Sequence, residues 1–118
     1  MRDLAPDILR QRLLIEGYFT TQVDRIAVEA YLTGIAAELA LRTYGAPIVH
    51  DPGGIGKPEN QGYDAFIPLI DSGISLYVWS KPRFMAAVLF TCKRFDVERA
   101  LEFTRRHFGA AKLEHREF

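Results

Sequence analysis

Hydrophobic and polar positions repeat along this chain with two periods. Arg12 to Phe19 (RLLIEGYF) alternates strictly: Leu13, Ile15 and Phe19 fall on one side, and Leu14, Glu16 and Tyr18 on the other, which predicts a strand. Before it, Met1 to Gln11 is a short arm, helical after Pro6. From Thr20 to Tyr44 the period changes. Val23, Ile26, Ala27, Ala30, Tyr31, Ile35 and Leu39 recur at helical spacing, Thr20 or Thr21 can cap the start, and Gly45 with Pro47 ends the run. Pro47 to His50 is a short strand. Tyr63 to Ile70 is another, with Pro68 marking an edge or a bulge. Asp71-Ser72-Gly73 is a turn. Ser75 to Ser80 is a strand with Ser75, Tyr77 and Trp79 on one face. Lys81-Pro82-Arg83 turns again, and Phe84 to Cys92 is a long apolar strand suited to the centre of a sheet. Asp96 caps a second helix, Val97 to Phe108, whose inner stripe is Val97, Ala100, Leu101, Thr104 and Phe108 and whose end is Gly109. Ala111 to Arg116 is a last strand. With few helices and neighbouring strands, the expected fold is α+β: a two-layer sandwich, an antiparallel sheet covered on one face by two helices.

The 118 residues suit a single domain. A chain of this size buries only about two thirds of its unfolded surface, so pairing into a homodimer is an expected source of stability. Fifteen basic residues balance fifteen acidic ones, which argues against nucleic acid or a membrane surface as partner. No apolar run spans a bilayer, and MRDLAPDILRQR lacks the apolar centre of a signal peptide. The lone cysteine, Cys92, makes no internal disulfide, so a cytoplasmic location is expected. His50, His107 and His115 are scattered and match no metal-site spacing, so no metal is expected. Asp51 to Gly62 (DPGGIGKPENQG) holds four glycines and two prolines in twelve residues and reads as a loop, a candidate cover for an active site. It is not a phosphate loop, because Pro58 follows Lys57 where a hydroxyl residue and a helix start are needed.

Four positions carry candidate chemistry. Ser72 before Gly73 is either turn punctuation or a reactive hydroxyl. Cys92 reads as a small buried hydrophobe, as most free cysteines do. Glu16, among apolar neighbours, is either a rim carboxylate or a ligand for a substrate amine, and Asp64 is an ordinary solvated acid. Asp64 and Ser72 stand eight residues apart, roughly 26 Å if extended, so one protomer can bring them together only by folding back; otherwise a second copy supplies one of them.

Ser72, Trp79, the Leu89-Phe90-Thr91-Cys92 tetrad thirteen residues after that tryptophan, and the Glu114-His115 pair together resemble the bacterial S-adenosylmethionine decarboxylase family. The resemblance extends over about Arg12 to Phe118. It implies a precursor that cuts itself at Asp71–Ser72 and converts Ser72 into a pyruvoyl cofactor. It implies Schiff-base decarboxylation of a small amino-acid substrate in polyamine biosynthesis, with Cys92 returning a proton to the α-carbon, and a dimeric habit. Tyr77 stands where the family has a histidine that assists the elimination step, and a phenol with a reference pKa of about 10 accepts protons poorly at neutral pH. Asp64 replaces a family serine. Lys81 stands just past Trp79 where a glutamate binds ribose hydroxyls, and Pro58 lies near the place of an adenine-stacking aromatic. These departures point to L-arginine or L-ornithine, with Asp64 and Glu16 as its carboxylates. S-adenosylmethionine itself, or an uncleaved, non-catalytic homologue acting as a binding or regulatory partner, are the alternatives.

Overall fold

A computed structural model of the chain describes residues 1–51 and 57–118. The strands are β1 (Gln11–Tyr18), β2 (Ile48–His50), β3 (Gly62–Leu69), β4 (Ser72–Trp79), β5 (Phe84–Thr91) and β6 (Leu113–Glu117); the helices are α1 (Arg25–Glu38) and α2 (Val97–Phe108). The strands form one antiparallel sheet in the order β2-β3-β4-β5-β1-β6, with β5 central as its apolar composition requires. Both helices lie on one face, giving the expected α+β architecture.

Alternation assigns the two faces. Leu13 and Ile15 of β1, Ile67 of β3, Ile74, Leu76 and Val78 of β4, and Met85, Ala87 and Leu89 of β5 are buried beneath the helices. Their neighbours in sequence point to the other face, where Tyr18, Phe66, Tyr77 and Phe90 are exposed. The helices supply Val28, Tyr31, Leu32, Ile35 and Ala36 from α1 and Ala100, Leu101, Thr104 and Phe108 from α2. Tyr31 is the polar pin between them. Its hydroxyl shares a hydrogen bond with Thr104 Oγ1 at 2.9 Å, and its ring lies 4.9 Å from that of Phe108. His107 adds a ring-nitrogen contact to the Ala27 carbonyl at 2.9 Å.

The second helix matches its sequence signals: Asp96 accepts from Arg99 N, and Gly109 closes the helix in the left-handed conformation at φ 60°. The first helix is shorter than its periodicity suggests. Asp24, not Thr20 or Thr21, is the cap, accepting from Ala27 N at 2.8 Å. Thr20 and Thr21 instead bond to carbonyls at the end of α2. The helix stops well before Gly45. Ala40 takes the left-handed conformation at φ 56°, and Leu41 N reaches back to Ala36 O at 2.8 Å, so the carbonyls of the last turn are satisfied without glycine. Ile26 is exposed, and Val28 and Leu32 take the core positions. The arm is not helical after Pro6; it makes a single turn closed by Ile8 N to Ala5 O. Pro68 sits in β3 beyond the reach of three-residue β2, where the strand's outer side needs no amide donor. Residues 52–56, within the loop expected to cover an active site, lie outside the described residues; Pro58–Asn60 form a short helical turn.

Burial pushes the Tyr31 phenol up from its ordinary value, against a smaller lowering by Thr104. The phenol stays protonated in the fold while an unfolded chain ionises near pH 10. Its contribution to stability is therefore complete below that pH and is lost as pH rises above it. Denaturant titrations should show Tyr31→Phe losing about 1 kcal/mol at pH 7. Above pH 10 the deficit should close, because only the native protein resists ionisation there, at about 1.4 kcal/mol per pH unit. A deficit independent of pH would show that the buried phenol does not govern this region.

Candidate active site

The β3–β4 hairpin reverses through two residues, Ile70 and Asp71, and Leu69 pairs with Ser72. The turn is thus one residue earlier than Asp71-Ser72-Gly73 suggests, and Ser72 opens β4. Asp71 carries the reversal at φ 59°, a left-handed conformation that costs a residue with a Cβ roughly 1–2 kcal/mol. Gly73 is in the ladder without a positive φ. Its need is space, since a Cβ there would fall 2.6 Å from the Phe66 ring.

Across the hairpin end, Ser72 Oγ accepts a hydrogen bond from the Cys92 backbone N–H at 3.1 Å. Cys92 lies one residue past β5, half-buried, in a segment held by three further bonds. Thr91 Oγ1 donates to Lys93 O at 2.8 Å, and Gln11 brackets Phe95, donating to its carbonyl and accepting from its amide, each at 3.0 Å. The chain leaving α1 forms the third wall. Ile70 N donates to Arg42 O at 3.0 Å, and Lys93 Nζ donates to Ala40 O at 2.9 Å. A cavity of about 190 Å³ results, lined by Ala40, Leu41, Arg42, Ile70, Asp71, Ser72, Cys92 and Lys93. A second cavity of about 340 Å³ touches Asp71 and Ser72 from the uncovered face, between Phe66, Gly73, Ser75, Val88 and Phe90. The Asp71–Ser72 peptide is therefore approached from both sides of the sheet. Two of the three non-glycine left-handed residues among the described residues, Ala40 and Asp71, border the smaller cavity, which is where strain is expected at a reactive position.

The other predicted site residues lie elsewhere. Along one row of the uncovered face, strand pairing sets His50 opposite Asp64, Asp64 opposite Tyr77, Tyr77 opposite Ala86, Ala86 opposite Glu16 and Glu16 opposite Glu114. His50, Asp64, Ser75 and Tyr77 share a shallow cavity of about 350 Å³ with Ile48, Ala65 and Phe66. Tyr77 is five residues along β4 from Ser72, so this row is ~16 Å from the serine. Glu16 lies a further two strands away, ~10 Å across the sheet from Tyr77. Trp79 ends β4 with its ring 5.3 Å from Phe84, and exposed Lys81 sits in the following turn. The chain does fold back between Asp64 and Ser72, yet the extended β4 keeps Tyr77, Asp64, Trp79, Lys81 and Glu16 apart from Ser72 within one protomer. Of the predicted set, Cys92 alone is brought from another strand to Asp71 and Ser72, while Asp64 and Tyr77 meet each other in the separate shallow cavity.

Sequence reasoning missed Arg42 and Lys93 beside Ser72. Lys93 adjoins Cys92 and was open to notice; Arg42 was concealed by the longer helix that the periodicity suggested. Among the described residues, no cluster of His, Cys, Asp and Glu is arranged to hold a metal ion, and no helix is long and apolar enough to cross a membrane.

A search of curated protein sequences finds no significant match. Among solved structures, the adenosylmethionine decarboxylase from Aquifex aeolicus superposes with a TM-score of 0.72, covering 94% of this chain and 89% of that one at 16% identity, a likeness of fold. The model of the family described as S-adenosylmethionine decarboxylase matches residues 11–118, which include every strand, both helices and the Ser72–Cys92 pair. The chain belongs to the S-adenosylmethionine decarboxylase family.

Proposed function

We propose that this protein is a self-processing, pyruvoyl-dependent decarboxylase that cuts itself between Asp71 and Ser72 and acts on L-arginine or L-ornithine, in preference to S-adenosylmethionine, in polyamine biosynthesis. The observation that carries the reading is the Ser72 Oγ hydrogen bond to Cys92 N, made beside left-handed Asp71. That bond occupies one lone pair of the hydroxyl and fixes its direction, leaving the other to attack the Asp71 carbonyl carbon. The C–N bond then breaks, the hydroxyl proton ends on the Ser72 nitrogen, and an ester joins the two segments. Loss of the Ser72 α-proton expels the N-terminal segment as a carboxylate, and hydrolysis of the remaining dehydroalanine releases ammonia. Strain at Asp71 raises the ground state of the peptide under attack.

Ser72 and the two cavities meeting at it fit a ketone at this position. The pyruvoyl group supplies a carbonyl that takes up the substrate amine and the electron pair left by carbon dioxide. Arg42 and Lys93 draw the substrate carboxylate to the mouth of the site, and Cys92, across from Ser72, holds a proton for the α-carbon. A reducing cytoplasm keeps that thiol free. Lys81 offers no acceptor for a ribose diol, and Pro58 offers no ring to stack on adenine, which supports a basic amino acid as substrate.

A second copy completes the site in this reading. The uncovered face exposes Tyr18, Phe66, Tyr77 and Phe90, an apolar surface suited to burial against its like. Packing two such faces can bring Asp64 and Tyr77 of one copy to Ser72 of the other, which one chain cannot do for itself. Tyr77, a weak base in place of histidine, favours the second reading: an uncleaved homologue that acts as a binding or regulatory partner.

Intact mass under denaturing conditions should show two fragments divided between Asp71 and Ser72, the C-terminal one bearing a pyruvoyl mass, and Ser72→Ala should remain whole. Cys92→Ala should be cleaved yet release carbon dioxide at least ~100-fold more slowly. A wild-type chain that stays whole after long incubation would exclude the decarboxylase reading and leave the binding-partner one. Light scattering should show a dimer that Phe90→Asp dissociates, and Asp64→Ala mixed with Ser72→Ala should regain activity. Absence of rescue after proven subunit exchange would mean that each site is complete within one chain.

A further inference from the structure

At the opposite end of β1 from Tyr18, the N-terminal arm borders an open cavity of about 660 Å³, larger than either cavity at Ser72 and in the range of small-ligand sites. The arm, residues 1–10, lies outside the stretch that matches the family. Four arginines line this cavity, Arg2 and Arg10 from the arm, Arg12 from β1 and Arg94 from the segment after β5, against a single carboxylate, Asp3. Asp3 is already engaged. It accepts from Arg10 and from the Ala5 N–H, and these bonds, the backbone one first, hold its carboxyl below the ordinary value. Asp3 also feels the charge of Arg12 without bonding to it, so among the described residues no carboxylate lining the cavity pairs directly with Arg2, Arg12 or Arg94.

Arg12 is the most constrained. Its guanidinium carbon lies 5.7 Å from the centre of the Phe118 ring, and its Nε is buried with no hydrogen-bond partner, an arrangement a fold tolerates poorly unless something offsets the charge. The remainder of the lining is apolar arm, with Leu4 and Ile8 exposed around it.

We propose that this cavity binds a small phosphate ester with an apolar body. Guanidinium groups favour phosphate because their paired donors match two of its oxygens, and several converging on one space favour a dianion over a chloride. The leucine and isoleucine of the arm give the organic part a surface to cover. This site is separate from Ser72 and does not depend on decarboxylation.

The test is a titration of the full-length protein with phenyl phosphate and with inorganic phosphate, by calorimetry, at constant ionic strength. Phenyl phosphate should bind saturably and about tenfold more tightly than inorganic phosphate, the ring adding buried apolar area. Arg12→Gln and Arg94→Gln should each weaken binding about tenfold or more, and Asp3→Asn, which removes the one opposing charge, should strengthen it. Arg94 is exposed, so its variant should fold even if the Arg12 variant does not. Absence of saturable binding, or binding unchanged in Arg94→Gln, would overturn the proposal; equal affinities for the two probes would overturn its apolar half.

Discussion

The hydrogen bond from Cys92 N to Ser72 Oγ is the contact on which the candidate site depends. It joins the first residue of β4 to the residue just past β5, and so fixes the hydroxyl, the thiol-bearing residue and the Asp71 carbonyl in one place. The bond exists because two neighbouring features hold it in register. Asp71 accepts a left-handed backbone to make a two-residue reversal, and Gly73 leaves room for the Phe66 ring beside it. Relaxing either would shift Ser72 along its ladder, and a shift of one residue would turn its side chain to the other face of the sheet.

A second constraint is the asymmetry of the sheet. One face is closed by two helices pinned through Tyr31 and Thr104; the other carries aromatic rings in the open. Antiparallel sheets commonly leave one face to water, but that face is then polar. Here Tyr18, Phe84 and Trp79 form a continuous line of ring contacts at one end, and Phe66 and Phe90 flank Ser72 at the other. Among the charged residues on this face, Asp64, Glu16 and Glu114 lie in the middle row between these aromatic ends, where a covering surface would desolvate them and give their charge most effect.

Much of this was legible in the sequence, and what was not has definite causes. Strict alternation in β1 and β4 announced both faces, and Asp96 with Gly109 announced α2 to the residue, because each signal is local. The limits of α1 were not local. Its stop is Ala40, a residue with no preference for left-handed backbone, held there by Leu41 N bonding back to Ala36 and by the burial of Leu39 and Leu41. Its start passes from Thr20 to Asp24 because Thr20 and Thr21 are recruited by the end of α2, eighty-odd residues away in sequence. The pairing of Ser72 with Cys92 was suggested by family pattern, and Lys93 adjoins that cysteine in sequence, but the place of Arg42 at the mouth follows from where α1 ends, and so could not be read from spacing. The separation of Asp64 and Tyr77 from Ser72 likewise follows from ladder register, which fixes distance along a strand regardless of how near the residues are in number.

The segment after β5 shows how two unlike sites can share a small fold. Cys92 and Lys93 border the cavity at Ser72, whereas Arg94 borders the cavity beneath the N-terminal arm. Phe95, next in line, is buried and clamped at both its amide and its carbonyl by Gln11. Gln11 stands between Arg10 and Arg12, which line the arm cavity. The two cavities are thus joined through one short stretch of backbone: Gln11 holds Phe95 by two hydrogen bonds and pairs with Thr91 of β5, the residue before Cys92, so the clamp that positions Arg10 and Arg12 also fixes the segment carrying the thiol.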